Sequence, residues 1–164
     1  MNNIYLGNIT MTHGLKGDLK LYSNLSIRDK VLKVGQIVYI NNIKHTISSI
    51  SKSKGYYLVR FDNLNNINLV EEFRNSEVYI NREDLKNINY VIEDTIGYEV
   101  YDNDKLLGKV KEICYTNNSV LIKVMGIKEF YIPYNNHFIK DVLVNDKKIL
   151  TNNGGELILW ELMY

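Results

Sequence analysis

One cysteine, one proline and no long apolar run set the first limits on this 164-residue chain. Cys114 has no second cysteine to pair with, so no disulfide closes within the chain, and this agrees with a reducing compartment. The only proline, Pro133, falls late in a strand-like segment, where an edge or a strand end accommodates its missing N–H. No apolar segment approaches the roughly 18 residues of a membrane span. The opening MNNIYLGNIT lacks the basic stretch and apolar core of a signal peptide. These absences predict a cytoplasmic protein with no membrane partner. Charge of one sign is also lacking. The formal net charge is +1, which excludes a chain that is basic throughout and binds nucleic acid by bulk attraction.

Reactive constellations are equally scarce. His13, His45 and His137 lie on different predicted elements, and neither an HxxxH nor a CxxC spacing occurs. Cys114 sits inside a predicted strand and reads as a small hydrophobe rather than a nucleophile. Glu71 and Glu72 point about 100° apart on a helix, so they are a solvated face and not an acid–base pair. No nucleophile elbow or dinucleotide fingerprint is present. The expectation is no catalytic residue, no metal and no cofactor.

What is abundant is β-forming sequence. Segments rich in Val, Ile and Tyr, including 13 tyrosines, alternate with clusters of Asn, Asp, Gly and Ser, the pattern of all-β barrels. In DLKLY, strict alternation puts Leu19 and Leu21 on one face and Asp18, Lys20 and Tyr22 on the other. QIVYI, IKHTISSI, GYYLVRF and SEVYI continue the series. NLVEEFRN interrupts it as a helix, with Leu69, Val70 and Phe73 on its apolar face, Asn68 as N-cap, Glu71 as capping-box partner and Asn75 as left-handed terminator. LSIRDKVL is a weaker helical stretch. A second β series follows: IGYEVYD, LLGKVKEICY, SVLIKVM, KEFYIPY, FIKDVLV and KKILT, with hairpin turns at DNDK and TNN (116–118). The tail GGELILWELMY reads equally as strand or short helix. The predicted fold is mainly β: two small β-barrel domains, residues 1–83 and 94–164, joined by a short linker at 84–93, with one or two short helices.

The segment HGLKG (13–17) superficially resembles a phosphate loop. A phosphate loop must open a helix, whose N–H groups and dipole meet the anion. Here the glycines lead into the strand DLKLY, so Gly14 and Gly17 read as the turn between two strands, leaving His13 and Lys16 near its tip.

At this point the residues match a known pattern. GNITMTHGLKGDLKLYS resembles the opening of the RimM family of bacterial ribosome maturation factors, with Gly7, Ile9, His13, Gly14, Leu15, Lys16, Gly17, Asp18, Leu19 and Lys20 all fitting. LVRFDNLNNINLVEEFRNSEVYINREDL is similar to the family's second block, although Val70, Phe73 and Asn75 replace its usual Ala, Leu and Gly. DTIGYEVYDNDKLLGKVKEI and FYIPY are similar to the family's C-terminal PRC-barrel. The likeness runs over nearly the whole chain in the family's order. Where members carry paired tyrosines before the D-x-I-G segment, this chain has Tyr90 and Val91.

The resemblance implies a non-enzymatic, monomeric assembly factor. Its expected partners are the immature small ribosomal subunit with its 16S rRNA and small-subunit ribosomal protein nineteen, a basic protein. Charge is distributed in keeping with this. Residues 1–90 carry 12 Lys+Arg and 8 Asp+Glu, a net of +4, and residues 91–164 carry 8 and 11, a net of −3. The expected RNA-facing residues are His13, Lys16, Lys20 and Arg28, with Lys30 and Lys33 nearby. The expected partner-binding residues are Tyr90, Glu93, Asp94, Tyr98, Glu99 and Asp102, with Asp104 beside them. Two alternatives remain open: a small flavin-binding barrel enzyme, and a PRC-barrel adaptor for another partner.

Overall fold

The computed structural model describes residues 3–117 and 119–160. It divides into two units, the first ending at Asn87 and the second beginning at Ile88. No helix among the described residues is long and apolar enough to cross a membrane.

The first unit is a closed six-stranded barrel built from β1 (Asn3–His13), β2 (Asp18–Tyr22), β3 (Ile37–Ile40), β4 (Ile43–Ser53), β5 (Tyr56–Phe61) and β6 (Glu77–Asn81). The circular order is β1-β2-β5-β4-β3-β6, with β6 returning to β1, and every pairing is antiparallel. Closure leaves no free sheet edge. Alternation along each strand sends Leu19, Leu21, Val38, Ile40, Val59, Phe61, Val78 and Ile80 into the core. On β1 the alternation slips at two register shifts, between Tyr5 and Gly7 and between Ile9 and Met11, so Leu6 and Ile9 are both fully buried despite their odd spacing. Each such apolar side chain contributes about 1.5–3 kcal/mol through burial.

Helix α1 (Arg28–Val31) lies in the weak helical stretch. The stronger expectation, a single helix over NLVEEFRN, is corrected. The chain makes two 3₁₀ turns there, Ile67–Leu69 and Glu71–Phe73. Asn66, not Asn68, caps the first by accepting the Asn68 N–H at 2.9 Å. Val70 and Phe73 are buried, whereas Leu69 faces solvent at 46% exposure. The segment spans barely two turns, too short to recover the cost of α-helix nucleation, and i→i+3 bonds satisfy its backbone instead. Asn75 takes a positive φ of 60° and ends it.

The second unit holds β7 (Glu99–Asp102), β8 (Lys105–Tyr115), β9 (Val120–Met125), β10 (Glu129–Pro133), β11 (Ile139–Leu143) and β12 (Lys148–Thr151). Their order is β10-β9-β8-β7-β12-β11, with β12 parallel to β7 and the other pairs antiparallel. The sheet curls on one core of Val100, Val110, Ile122, Val124, Phe130, Ile132 and Ile149, against which Tyr134, Phe138, Ile139 and Val142 pack. The end strands β10 and β11 are not paired with each other. Pro133 closes β10, an end strand, where its missing N–H interrupts no ladder. Within the tail, Gly154–Glu156 forms a 3₁₀ turn and α2 (Leu157–Trp160) follows, with Leu157 and Ile158 on the core. Asn118 of the TNN turn and residues 161–164 of the tail lie outside the described residues.

The segment at 84–93 is partly structured. A 3₁₀ turn at Arg82–Asp84, capped by the Asn81 side chain, runs into its start, and Leu85 is buried. Val91 and Ile92 are buried as well, and a second 3₁₀ turn covers Ile92–Thr95.

Candidate binding surfaces

The turn HGLKG joins β1 to β2, with His13 paired opposite Asp18. His13 through Lys16 are exposed. The turn is fastened from beneath: the Leu15 carbonyl accepts the Ile67 N–H at 3.1 Å, and Gly17, at φ +80°, lies so close to the Leu64 carbonyl that a Cβ would stand 2.2 Å from it. The result is a fixed loop that holds Lys16 and His13 in solvent. One strand along, Arg60 grips Asp18 bidentately, Nε–Oδ1 at 3.0 Å and Nη2–Oδ2 at 2.8 Å. Both side chains are half-buried, and the planar fork contributes about 1 kcal/mol to the β2–β5 pairing.

Lys20 projects from the outer face of β2 with its ammonium 5.0 Å from the centre of the Tyr56 ring. Tyr56 in turn lies 5.7 Å from the Tyr22 ring. Arg28 is partly committed elsewhere, since its guanidinium donates to the Leu25 carbonyl at 3.2 Å. Neighbouring Asp29 accepts from Lys52 at 2.8 Å and from the Tyr57 hydroxyl. These two bonds, the lysine's first, hold the Asp29 carboxyl below the usual range.

His45, on β4, is packed between Phe61 and Phe73, with ring centres at 5.4 and 5.1 Å, and its Nε2 is buried without a partner. Burial pushes this imidazole below its ordinary value, and the Glu72 charge opposes the shift. As pH falls through the ordinary histidine range, the unfolded chain therefore takes up the proton first, and stability declines toward the folded value. Between about pH 7 and about pH 5, thermal unfolding of the first unit is expected to move to lower temperature, and His45→Phe is expected to flatten that slope.

In the second unit, the candidate partner-binding residues differ in their settings. Tyr98 is corrected to a core residue: it is 7% exposed, and its hydroxyl reaches the Val144 carbonyl at 3.4 Å. Asp94 closes its own 3₁₀ turn, accepting the Val91 N–H at 3.0 Å. Asp102 shares the parity of inward-facing Val100 and accepts the Gly155 N–H at 2.9 Å, tying the tail to β7. Glu93 and Glu99 are half-exposed; the first accepts from the Tyr115 hydroxyl, the second from Tyr101 at 2.9 Å, with Lys109 at 3.9 Å. Asp104 is exposed in the β7–β8 turn.

Tyr90 shares a 2.7 Å hydrogen bond with the Tyr134 hydroxyl. Burial, then this bond, pushes the Tyr134 phenol well above the usual tyrosine range. The pair borders a pocket of about 260 Å³ along β11, lined also by Asn135, Ile139 and Lys140. Val91, at the position of the family's second tyrosine, is buried. Sequence reasoning missed Tyr134, because its nearness to Tyr90 comes from the fold. It also missed the Tyr22–Tyr56 pair, whose one local signal was Tyr22 on the polar parity of DLKLY.

These features define a protein of two β units, one a closed barrel and one a curled sheet, with its chemistry-bearing side chains spread over outer faces. The model of the RimM N-terminal domain matches residues 4–85, and that of the PRC-barrel domain matches residues 89–158. The chain belongs to the RimM family. It is 32% identical over 155 residues to the ribosome maturation factor RimM of Staphylococcus haemolyticus (strain JCSC1435), covering 89% of this chain and 93% of that protein. Against that of Staphylococcus aureus (strain NCTC 8325 / PS 47) it is 32% identical over 156 residues, covering 90% and 93%. Solved structures that it resembles include a 16S ribosomal RNA processing protein RimM from Pseudomonas aeruginosa (TM-score 0.47, 16% identity, 94% of this chain and 99% of that one). Another is the N-terminal domain of RimM from Thermus thermophilus (TM-score 0.45, 20% identity, 52% and 95%).

Proposed function

We propose that this chain is a ribosome maturation factor that binds the immature small subunit at its head and assists maturation of 16S rRNA. The observation that carries this is the ordered pair of family domains across nine-tenths of the chain, at 32% identity to proteins named ribosome maturation factor RimM. The first unit, net +4, turns Lys16 and Lys20 toward rRNA phosphates. The second, net −3, meets the basic small-subunit protein nineteen. The factor works without covalent chemistry. It binds the assembly intermediate more tightly than the finished head, and only that difference shifts the population toward the mature form. Tyr90 and Tyr134 supply the hydroxyl pair that Val91 cannot.

Sedimentation of cell extract through a sucrose gradient tests this reading. The chain is expected to co-migrate with precursor small subunits and to be absent from mature ribosomes. Co-migration with neither, or with both equally, removes it. Tyr90→Ala is expected to lower the co-migrating fraction several-fold, in line with the loss of an interface tyrosine. If its melting temperature drops and binding does not, Tyr90 serves packing alone.

A further inference from the structure

We infer that the outer face of β1, β2, β5 and β4 binds single-stranded RNA by stacking bases on Tyr22 and Tyr56. This rests on the ribosome-assembly reading and gives it a mode of contact. The pairing of Leu21 with Tyr57 makes Tyr22 and Tyr56 cross-strand neighbours on the outward parity, with rings 5.7 Å apart and inclined at 41°. Tyr22 is 40% exposed, whereas Tyr57, one residue along on the inward parity, is 6% exposed. Tyr56 is half-buried, so the pair lies on the outer face and not in the core. Lys20 completes the group with its ammonium over the Tyr56 ring. Adjacent ring faces beside a cation match a strand that alternates flat bases with phosphates, and every base has a π-face, so such stacking tolerates any sequence.

Charge selects the same occupant. Strands β1, β2, β4 and β5, with the turns joining β1 to β2 and β4 to β5, carry Lys16, Lys20, Lys44, Lys52, Lys54 and Arg60. Against these stands one carboxylate, Asp18, which Arg60 already holds; Lys52 does not add to the outer face, since it pairs with Tyr57 on the inward parity and is bound by Asp29 of α1. Of the unit's other carboxylates, Glu77 of β6 shares this face across β1, opposite the Asn8 that pairs with Tyr22, and most of the rest lie on the 3₁₀ turns or beyond β6. A basic protein is repelled by such a face, and an acidic peptide has no use for two neighbouring rings. The second unit provides the contrast. Lys123 lies 5.7 Å from the Tyr131 ring centre and Lys148 5.1 Å from that of Tyr101. There, however, Glu129 binds both Lys111 and Lys123, so the cation beside Tyr131 is neutralised, and Lys148 stands opposite Glu99 in the β12–β7 pairing.

The test titrates the full chain against a fluorescently labelled, unstructured single-stranded RNA oligonucleotide at low salt, read by anisotropy. Tyr22→Ala and Tyr56→Ala are each expected to weaken binding about ten-fold, while Tyr22→Phe and Tyr56→Phe bind normally, because a ring without its hydroxyl still stacks. Lys20→Gln is expected to reduce the salt dependence by about one phosphate contact. Thermal unfolding of each variant separates lost binding from lost fold. Unchanged binding by the alanine variants, or phenylalanine variants as weak as alanine, overturns the inference. So does a Tyr22→Ala/Tyr56→Ala chain that binds the oligonucleotide normally yet no longer co-migrates with precursor subunits, which makes this a protein-docking face. Ring-dependent RNA binding by a chain that never co-migrates upholds the stacking site and removes the assembly reading instead.

Discussion

Gly17→Ala is expected to destabilise the first unit by about 2–4 kcal/mol, whereas Gly14→Ala, three residues earlier in the same turn, costs about 1–2 kcal/mol. Both glycines have positive φ, +65° at Gly14 and +80° at Gly17, so both variants suffer the left-handed penalty. Only at Gly17 does the backbone of another segment stand in the way: a Cβ would lie 2.2 Å from the Leu64 carbonyl oxygen, while at Gly14 nothing lies within 4 Å. Relief requires the turn to lift from residues 64–67, which gives up the Ile67 N–H to Leu15 carbonyl bond. Because that contact also fixes the tip, Gly17→Ala is expected to blunt binding of precursor subunits beyond what its stability loss explains. Urea unfolding of the two variants, followed by gradient co-migration at a temperature where both are folded, checks this. Equal destabilisation by the two substitutions would show that the packing of Gly17 on Leu64 contributes nothing.

That turn was legible in the sequence because its signals are local. Two glycines between two alternating segments leave little choice, and the polar parity of DLKLY, with Leu19 and Leu21 inside, appears in the structure as read. The helix over NLVEEFRN was half-legible: the buried positions Val70 and Phe73 and the terminator Asn75 are there, but the choice between α and 3₁₀ geometry depends on how many turns can be propagated, which side-chain spacing does not report. The candidate site was legible at its cationic end and not at its aromatic one. Tyr22 and Tyr56 stand 34 positions apart and meet only because β2 pairs with β5, a non-consecutive pairing. Tyr134 and Tyr90 are 44 positions apart and meet beside β11 only in the folded unit. The acidic set was legible as charge but not as setting. A carboxylate in sequence looks the same whether it faces water or accepts a backbone N–H; Asp94 closes its own turn and Asp102 ties down the tail at Gly155.

The distinction between those carboxylates sets the second large expectation. Glu99→Lys combined with Asp104→Lys reverses the charge of two exposed or half-exposed groups at β7 and its following turn, while the backbone keeps its bonds. If a basic ribosomal protein docks on this unit, the pair is expected to weaken that association about ten-fold or more at low ionic strength. The effect should shrink as salt is added, since the screening length is about 8–10 Å under physiological conditions. Stability should change by about 0.5 kcal/mol, the worth of surface pairs such as Glu99 with Lys109. Asp94→Ala and Asp102→Ala are expected to do the reverse. Each removes a charged acceptor from a backbone N–H and lowers stability by about 1–3 kcal/mol, with a smaller change in affinity. Titration calorimetry against the purified ribosomal protein at two salt concentrations, set beside urea unfolding, separates the two classes. Were the lysine pair to bind as tightly as the parent chain at both salts, the net −3 of this unit would not be what attracts the partner, and contacts around Tyr90 and Tyr134 would have to carry the docking.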